Sequence, residues 1–210
     1  MEIIFEDAHL IVVSKACGEV VVFGRNLKEK PLNYLLSEKL GHSVYPVHRL
    51  DKETSGVCLF AKDIQTQRRL SSLFENRKIK KTYWALVSGK LEGEGSIDTP
   101  LKLFGSGRTG ISKEGKPSKT LYRALQSREN ASFLEVSPLT GRRRQIRAHL
   151  YSIGHPILGD SLYGNPSITA PRLMLHALKI IIPEPNWPSF EAQPPADFEK
   201  FSRRILNQEI

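Results

Sequence analysis

Cysteine is scarce in this sequence, because Cys17 and Cys58 are the only two and do not form a CxxC pair. Two such residues cannot build a disulfide framework, so a reducing cytosol is the expected compartment. Long apolar runs are also missing, since no stretch approaches the roughly 18 residues of a membrane-spanning helix. The N-terminus carries acidic residues where a signal peptide would be basic. We therefore expect neither secretion nor membrane insertion.

Acidic residues are outnumbered by basic ones, with 22 Asp and Glu against 31 Lys and Arg and a net charge of +9. A polyanion is therefore the first partner to consider. The chain has 210 residues, of which 40% are hydrophobic, and this ordinary globular composition excludes disorder and fibrous repeats. The length predicts a single domain over residues 1–210.

The order of predicted elements favours an α+β fold. Short apolar runs predict strands at residues 3–5, 10–13, 20–23, 57–61, 82–87, 121–125 and 133–136. Leucine spacing predicts a helix over 31–40 that ends at Gly41, and Asp63 is placed to cap a helix containing Leu70, Leu73 and Phe74. Without a regular βαβ rhythm, we expect a mixed, mostly antiparallel central sheet flanked by helices and loops.

Two segments look less regular. Residues 92–119 are rich in Gly, Ser and Lys, which predicts an exposed hairpin or loop. The proline-rich stretch 183–195 is expected to run extended over the surface.

Two apparent ligand signals fail. Residues 110–116 have the GxxxxGK spacing of a phosphate loop, but Pro117 occupies the Ser/Thr position and lacks an N–H. The histidines His149, His155 and His176, with Asp160, match no metal-ligand spacing. We therefore predict no nucleotide cofactor and no metal.

The segment VHRLDKETSG at residues 47–56 places Asp51 on a loop between a predicted strand around Val44 to Val47 and the predicted strand that begins at Val57. Such a loop, held at both ends by a sheet, is a good place to present a reactive carboxylate. The alternative is structural, with Asp51 in an Asx turn or paired with Lys52 or Arg49.

The segment KKTYWALVSG at residues 80–89 alternates as a strand, with Tyr83, Ala85 and Val87 on one face. Small Ala85 leaves space beside the ring of Tyr83, although tyrosine in a strand often only packs.

The segment LTGRRRQIRAHLYSIG at residues 139–154 predicts a helix from the spacing of Ile146, Leu150 and Ile153, with Thr140 capping its start and Gly154 its end. Arg142, Arg143 and Arg144 then crowd a helix N-terminus that is already positive, at about 0.3–1 kcal/mol each. An anion docking there, phosphate or protein carboxylate, explains this arrangement. The alternative is a solvated basic run.

These segments resemble the RluA-type family of RNA pseudouridine synthases. Residues 48–56 (HRLDKETSG) are similar to the family motif HRLDxxTSG, and residues 81–89 (KTYWALVSG) to its KxYxALVxG strand. Residues 140–149 (TGRRRQIRAH) resemble TGRTHQIRVH, and residues 154–164 (GHPILGDSLYG) resemble GHPILGDxxYG. Residues 175–177 (LHA) match the element that follows, so the likeness covers nearly the whole chain.

The resemblance implies the pseudouridine synthase catalytic fold and isomerisation of specific uridines in ribosomal and/or transfer RNA, without cofactor or metal. It makes Asp51 the nucleophile, kept ionised by Arg147, with Tyr83 stacking on the uracil or assisting proton removal. A stacked uridine must be flipped out to be reached. The other residues assigned to RNA binding are His48, Arg49, Arg142, Arg143 and Arg144. We expect a cytoplasmic monomer.

The sequence departs from the family pattern at two places. Arg143 and Arg144 replace Thr-His, and Lys15-Ala16 stands where Lys-Pro is common. Both departures bear on substrate preference more than on the reaction. We also expect a single catalytic domain without the N-terminal S4-type RNA-binding module of many relatives.

Two other function classes remain open. A hydrolytic nucleoside glycosidase would use Asp51 with Glu53 as its carboxylate pair and would release free uracil. A catalytically silent RNA-binding module would need only the basic charge, but the joint presence of Asp51, Tyr83 and Arg147 argues against it.

Overall fold

The computed structural model describes residues 1–24, 29–164, 168–187 and 189–207. Along the chain the elements are β1 (Glu2–Glu6), β2 (Leu10–Lys15), α1 (Leu32–Leu40), β3 (Tyr45–Pro46), β4 (Ser55–Ala61), α2 (Ile64–Glu75), β5 (Lys80–Ser88), β6 (Glu94–Asp98), β7 (Leu101–Leu103), β8 (Thr109–Ile111), β9 (Lys119–Ser127), β10 (Ala131–Pro138), α3 (Gln145–Ser152), β11 (Leu175–Ile181), β12 (Ser189–Glu191) and α4 (Ala196–Asn207). No helix among these described residues is long and apolar enough to cross a bilayer.

The chain divides into two compact units, and the first comprises residues 1–80 and 177–193. Its strands run in the order β1-β2-β4-β11, with β3 on β4 and β12 on β11. The pairs β1/β2, β2/β4, β3/β4 and β11/β12 are antiparallel. Every residue of β4 is buried, as expected for a strand covered on both faces. Helix α2 packs Leu70, Leu73 and Phe74 into the same core, as its spacing predicts.

The second unit comprises residues 81–176 and 194–210 and has its own core. Its strands run β5-β10-β9-β6, all antiparallel, and β7 and β8 form a separate hairpin. The helices α3 and α4 contribute Ile146, Leu150, Phe198 and Phe201 to this core. The predicted α+β class with a mixed, mostly antiparallel sheet is confirmed.

The predicted strand at 20–23 is wrong, because its carbonyl groups serve a helix. The N–H groups of Leu32 and Asn33, in the first turn of α1, donate to the carbonyl oxygens of Val20 and Val21 at 2.7 and 3.3 Å. Pro31, the N-cap residue, provides no side-chain hydrogen bond, so the helix takes these main-chain acceptors instead. The predicted end of α1 at Gly41 is confirmed by its left-handed conformation, with φ of 72°.

The predictions for the two irregular segments are only partly right. Residues 92–119 do contain the β7–β8 hairpin, but they also contribute β6, with Ile97 buried, to the sheet. The stretch 183–195 does not simply cross the surface, because it includes β12 and buries Trp187 and Ala192. The indole Nε1 of Trp187 donates to Asp7 Oδ2 at 2.7 Å and ties the stretch to the β1–β2 turn.

Candidate active site

Asp51 lies on the loop between β3 and β4 in the first unit, as predicted, and is half-buried. A turn holds it there, since the N–H of Thr54 donates to the carbonyl of Asp51 at 3.1 Å. Its neighbour Lys52 pairs with Glu29, at 2.9 Å from Nζ to Oε2. A main-chain hydrogen bond and a side-chain ion pair therefore order the loop that carries the Asp51 carboxylate.

A buried lysine, Lys15, holds this loop through hydrogen bonds to main-chain carbonyl groups. Lys15 is only 1% exposed, and its Nζ donates to the carbonyl oxygens of Ala16 at 2.9 Å and Lys52 at 3.0 Å. The N–H of Gly18 donates to the same Lys52 oxygen at 2.9 Å. Because a buried ammonium group needs acceptors, Lys15 fixes the residue that directly follows Asp51.

His48 and Arg49, assigned to RNA binding from the resemblance, take different positions in the loop. His48 Nε2 accepts a hydrogen bond from the N–H of Leu59 at 3.1 Å, and its ring stacks on Phe74, with centroids 4.8 Å apart. Arg49 is exposed. His48 therefore shapes the loop, whereas Arg49 is open to a ligand.

Gly56, the last residue of the HRLDKETSG segment, has a steric reason to be glycine. Its φ is +118°, and a Cβ built there would stand 2.1 Å from the carbonyl oxygen of Ala177. No larger residue fits without moving the backbone. This close approach links the TSG and LHA motifs, which are far apart in sequence.

Tyr83 belongs to the second unit, on β5, opposite Val136 of β10, and is half-buried. Ala85, two residues further along the strand, is fully buried. The same strand carries Lys81, whose Nζ donates to the carbonyl of Thr140 at 3.3 Å. Burial lowers the pKa of Lys81 to about 8, because the surroundings disfavour its charged form.

Arg147 lies on α3 in the second unit and is 1% exposed. Its Nε and Nη2 donate to the two carboxylate oxygens of Asp160 at 2.7 and 2.8 Å, a bidentate pair. Asp160 Oδ1 also accepts the N–H groups of Leu162 and Tyr163 at 2.9 and 3.2 Å. The guanidinium of Arg147 lies 5.8 Å from the ring centroid of Tyr163. Its direction is thus fixed on one side by an ordered carboxylate.

The prediction that Thr140 caps α3 is wrong, because α3 begins at Gln145 and its N-cap residue is Arg144, in the left-handed conformation. The side chain of Gln145 organises the turn instead. Its Oε1 accepts from Thr140 Oγ1 at 2.6 Å and from the N–H of Arg142 at 3.0 Å. At the other end the C-cap is Ile153, one residue before the predicted Gly154.

The three consecutive arginines therefore precede the helix rather than fill its first turn. Arg142 donates to the carbonyl of Pro117 at 3.3 and 3.2 Å, and Arg144 donates to the carbonyl of Gly107. Arg143 is exposed. Two of the three guanidinium groups thus bind main-chain oxygens in the described structure, and Arg143 is the one directed to solvent.

His149, one of the histidines weighed as a metal ligand, is buried and bonded to Thr120 Oγ1 at 2.8 Å and to the carbonyl of Thr99 at 3.1 Å. Burial lowers the pKa of its imidazole. Across the residues that the structure describes, no three His, Cys, Asp or Glu side chains come together as a metal site.

Sequence reasoning missed the roles of Lys15, Phe74 and Asp160. Because a buried arginine needs a carboxylate partner, the placement of Arg147 on a helix that packs on the core could have indicated a partner such as Asp160. For Phe74 and Lys15 no such signal existed, because their contacts join segments distant in sequence.

Comparisons with known proteins show which family this chain is similar to. The family model for RNA pseudouridylate synthase matches residues 9–152. Ribosomal large subunit pseudouridine synthase D of Nitrosomonas europaea is 40% identical over 202 residues, which cover 89% of this chain and 59% of that protein. The dual-specificity RNA pseudouridine synthase RluA of Escherichia coli (strain K12) is 36% identical and covers 93% of both chains.

A solved structure shows the same fold. Human RNA pseudouridylate synthase domain containing 4 superposes with a TM-score of 0.81 at 27% identity, over 100% of this chain and 94% of that chain. The family match extends over more than half of the sequence and includes the loop of Asp51, the strand of Tyr83 and the helix of Arg147. This chain therefore belongs to the RNA pseudouridylate synthase family.

Proposed function

We propose that this protein converts specific uridines of ribosomal or transfer RNA to pseudouridine, with residues 1–210 acting as one catalytic domain. The observation that carries the proposal is Asp51, held on a loop braced by Lys15 and by the Thr54 turn. The names of the relatives support both RNA classes, since they include a ribosomal and a dual-specificity enzyme.

The reaction is an isomerisation that needs no other reactant. The bond between C1′ of the ribose and N1 of the uracil breaks, the base turns, and a bond between C1′ and C5 forms. The proton on C5 is lost and N1 gains one, so atoms and charge balance. Asp51 acts as the nucleophile, because a carboxylate attacks carbon and leaves again, dividing one hard step into easier ones.

We assign Arg147 to Asp51, where its guanidinium keeps the carboxylate ionised and directed. Tyr83 stacks on the flipped uracil or assists removal of the C5 proton. Arg49, exposed on the loop of Asp51, and Arg143, exposed before α3, each contact the RNA. His48 supports the loop that carries Arg49, and Arg142 and Arg144 support the segment that carries Arg143.

The decisive test uses RNA labelled with tritium at C5 of uridine, because the proposed reaction releases that hydrogen to water. Wild type should release tritium and form pseudouridine, whereas Asp51→Asn should do neither while still folding and binding RNA. Turnover by Asp51→Asn, free of wild-type contamination, would overturn the assignment. Free uracil as the product would identify a hydrolytic glycosidase instead.

A second variant tests the role of Arg147. Arg147→Lys keeps the charge but loses the forked geometry, so kcat should fall far more than RNA affinity. If rate and affinity fall in proportion, Arg147 belongs to the phosphate-binding residues.

We also infer a cytosolic monomer that needs neither nucleotide nor metal, supported by the low cysteine content and the failed phosphate-loop spacing. Gel filtration and activity after dialysis against EDTA, without added nucleotide, test these points. A dimer, or activity that returns only with metal or nucleotide, would contradict them.

A further inference from the structure

Residues 76–80, which comprise the turn after α2 and the first residue of β5, are a strongly basic part of the first unit, and we name this segment the basic turn. Arg77, Lys78 and Lys80 are all exposed, and none forms an ion pair with a carboxylate of the described residues. Ile79 is buried between them and anchors the turn in the core. Three exposed cations are thus concentrated on a turn whose backbone is anchored by Ile79.

Arg77 occupies a backbone position that normally belongs to glycine. Its φ is +57°, and the N–H groups of Arg77 and Lys78 donate to the carbonyl oxygens of Phe74 and Leu73 at 3.1 and 2.9 Å. These two bonds form a Schellman motif with Arg77 at C′. Helix α1 ends with glycine in the same conformation, at Gly41. An arginine at such a position is strained, and strain of this kind is concentrated at functional sites, which points to a role for the Arg77 side chain outside the fold.

The basic turn adjoins the loop of the proposed nucleophile. Phe74, in the last turn of α2, stacks on His48, which lies three residues before Asp51 in the chain. On its other side, Lys80 opens β5, and Tyr83 is the fourth residue of that strand. A strand rises about 3.3 Å per residue, so roughly 10 Å of backbone separates Lys80 from Tyr83.

We propose that Arg77, Lys78 and Lys80 bind phosphates of the RNA strand beside the target uridine. This inference rests on the proposed function and adds to it a surface that positions the substrate. Because Lys80 and Tyr83 lie about 10 Å apart along β5, one RNA strand can place its target base at Tyr83 and neighbouring phosphates at the turn. Contacts of this kind orient RNA without reading its sequence.

The competing explanation is that these cations only complement the negative C-terminal end of α2. The strained position of Arg77 separates the two explanations. Arg77→Gly removes the charge and relieves the backbone strain, so folding stability should stay equal or rise while RNA affinity falls. If the affinity for RNA fell because the fold was damaged, the folding stability of Arg77→Gly would have to fall as well.

The experiment measures binding of a fluorescein-labelled RNA stem-loop with uridines in its loop, by anisotropy at several salt concentrations. The variants are Arg77→Gly, Arg77→Lys and Lys78→Gln/Lys80→Gln, each in the full chain. Lys200→Gln, which removes an exposed charge from α4, is the matched control. Thermal unfolding and kcat and KM on a tritium-labelled RNA are measured for every variant.

Arg77→Gly should bind the RNA about tenfold more weakly and flatten the plot of log K against log salt by about 0.7–0.9. Its KM should rise while kcat stays near that of wild type, and Arg77→Lys should restore most of the affinity. Lys78→Gln/Lys80→Gln should flatten the slope further, and Lys200→Gln should change neither quantity. An unchanged affinity and slope in an active Arg77→Gly enzyme would overturn this inference alone, whereas an inactive wild type would overturn the proposed function.

Discussion

The buried pair of Arg147 and Asp160 makes a sharp prediction about folding stability. Both side chains are essentially unexposed, at 1% and 0%, and two short hydrogen bonds join them. Removing one partner of a buried, bidentate pair is strongly destabilising, by about 3–5 kcal/mol. Asp160→Asn keeps the shape and one acceptor oxygen, so we expect the lower end, about 3 kcal/mol. For a chain of this length that corresponds to a fall in Tm of roughly 6–12 °C.

A double-mutant cycle isolates the pair from the other contacts of each residue. Urea unfolding at pH 7 and 25 °C is measured for wild type, Asp160→Asn, Arg147→Met and the double variant. We expect a coupling energy of about 2 kcal/mol or more, because each single substitution already breaks the same bidentate contact and the double variant cannot lose it twice. Stability is the readout, so the result does not depend on the role of Arg147 in catalysis.

The matched control is a pair on the surface of the second unit. Arg123 and Glu135 face each other across β9 and β10 at 3.1 Å, with side chains 58% and 34% exposed. Water screens such a pair, so its coupling energy should be at most about 1 kcal/mol. If Arg147 and Asp160 proved additive within about 0.5 kcal/mol, the reasoning from burial and bidentate geometry would be refuted.

Three further predictions concern single positions. Gly56→Ala should destabilise the fold by about 2–4 kcal/mol, because its Cβ would collide with the carbonyl of Ala177, and urea unfolding that matches wild type would contradict the close approach. Lys81 has a pKa near 8 in the fold, below its unfolded value, so the unfolded chain holds more protons between about pH 8 and 10.4 and stability should rise with pH there. Lys81→Met should lack that rise in stability. If the stability of the variant and of wild type changed identically with pH, the lowered pKa of Lys81 would be contradicted. Burial raises the pKa of Cys58 to about 12, whereas Cys17 is half-buried, so iodoacetamide should modify Cys17 alone until denaturant is added, as mass spectrometry can check; modification of Cys58 in the folded chain would be inconsistent with its burial.

Local signals in the sequence determined much of the secondary structure, including the elements that carry the candidate site residues. The apolar run that became β4, the leucine spacing of α1 and the Asp63 cap of α2, which accepts from the N–H of Thr66 at 2.7 Å, are all confirmed. Each depends on neighbours within a few residues, which is why pattern reasoning finds them. The same locality placed Asp51 on its loop and Arg147 on its helix.

Tertiary structure decided what each of these residues contacts. The apolar run at 20–23 looked like a strand, but its carbonyl oxygens accept hydrogen bonds from the first N–H groups of α1. This outcome depends on the packing of residues 20–23 against the start of the helix. Likewise Gln145, not Thr140, organises the start of α3, because its side chain reaches back to the turn before it.

The partners of buried charges were decided in the same way. The carboxylate that holds Arg147 and the carbonyl groups that hold Lys15 come from other parts of the chain. Periodicity tells which side of an element faces the core, but it contains no information on which segment lies opposite. The sequence alone therefore predicted which residues are the candidates for reactivity, and only packing determined which groups orient and support them.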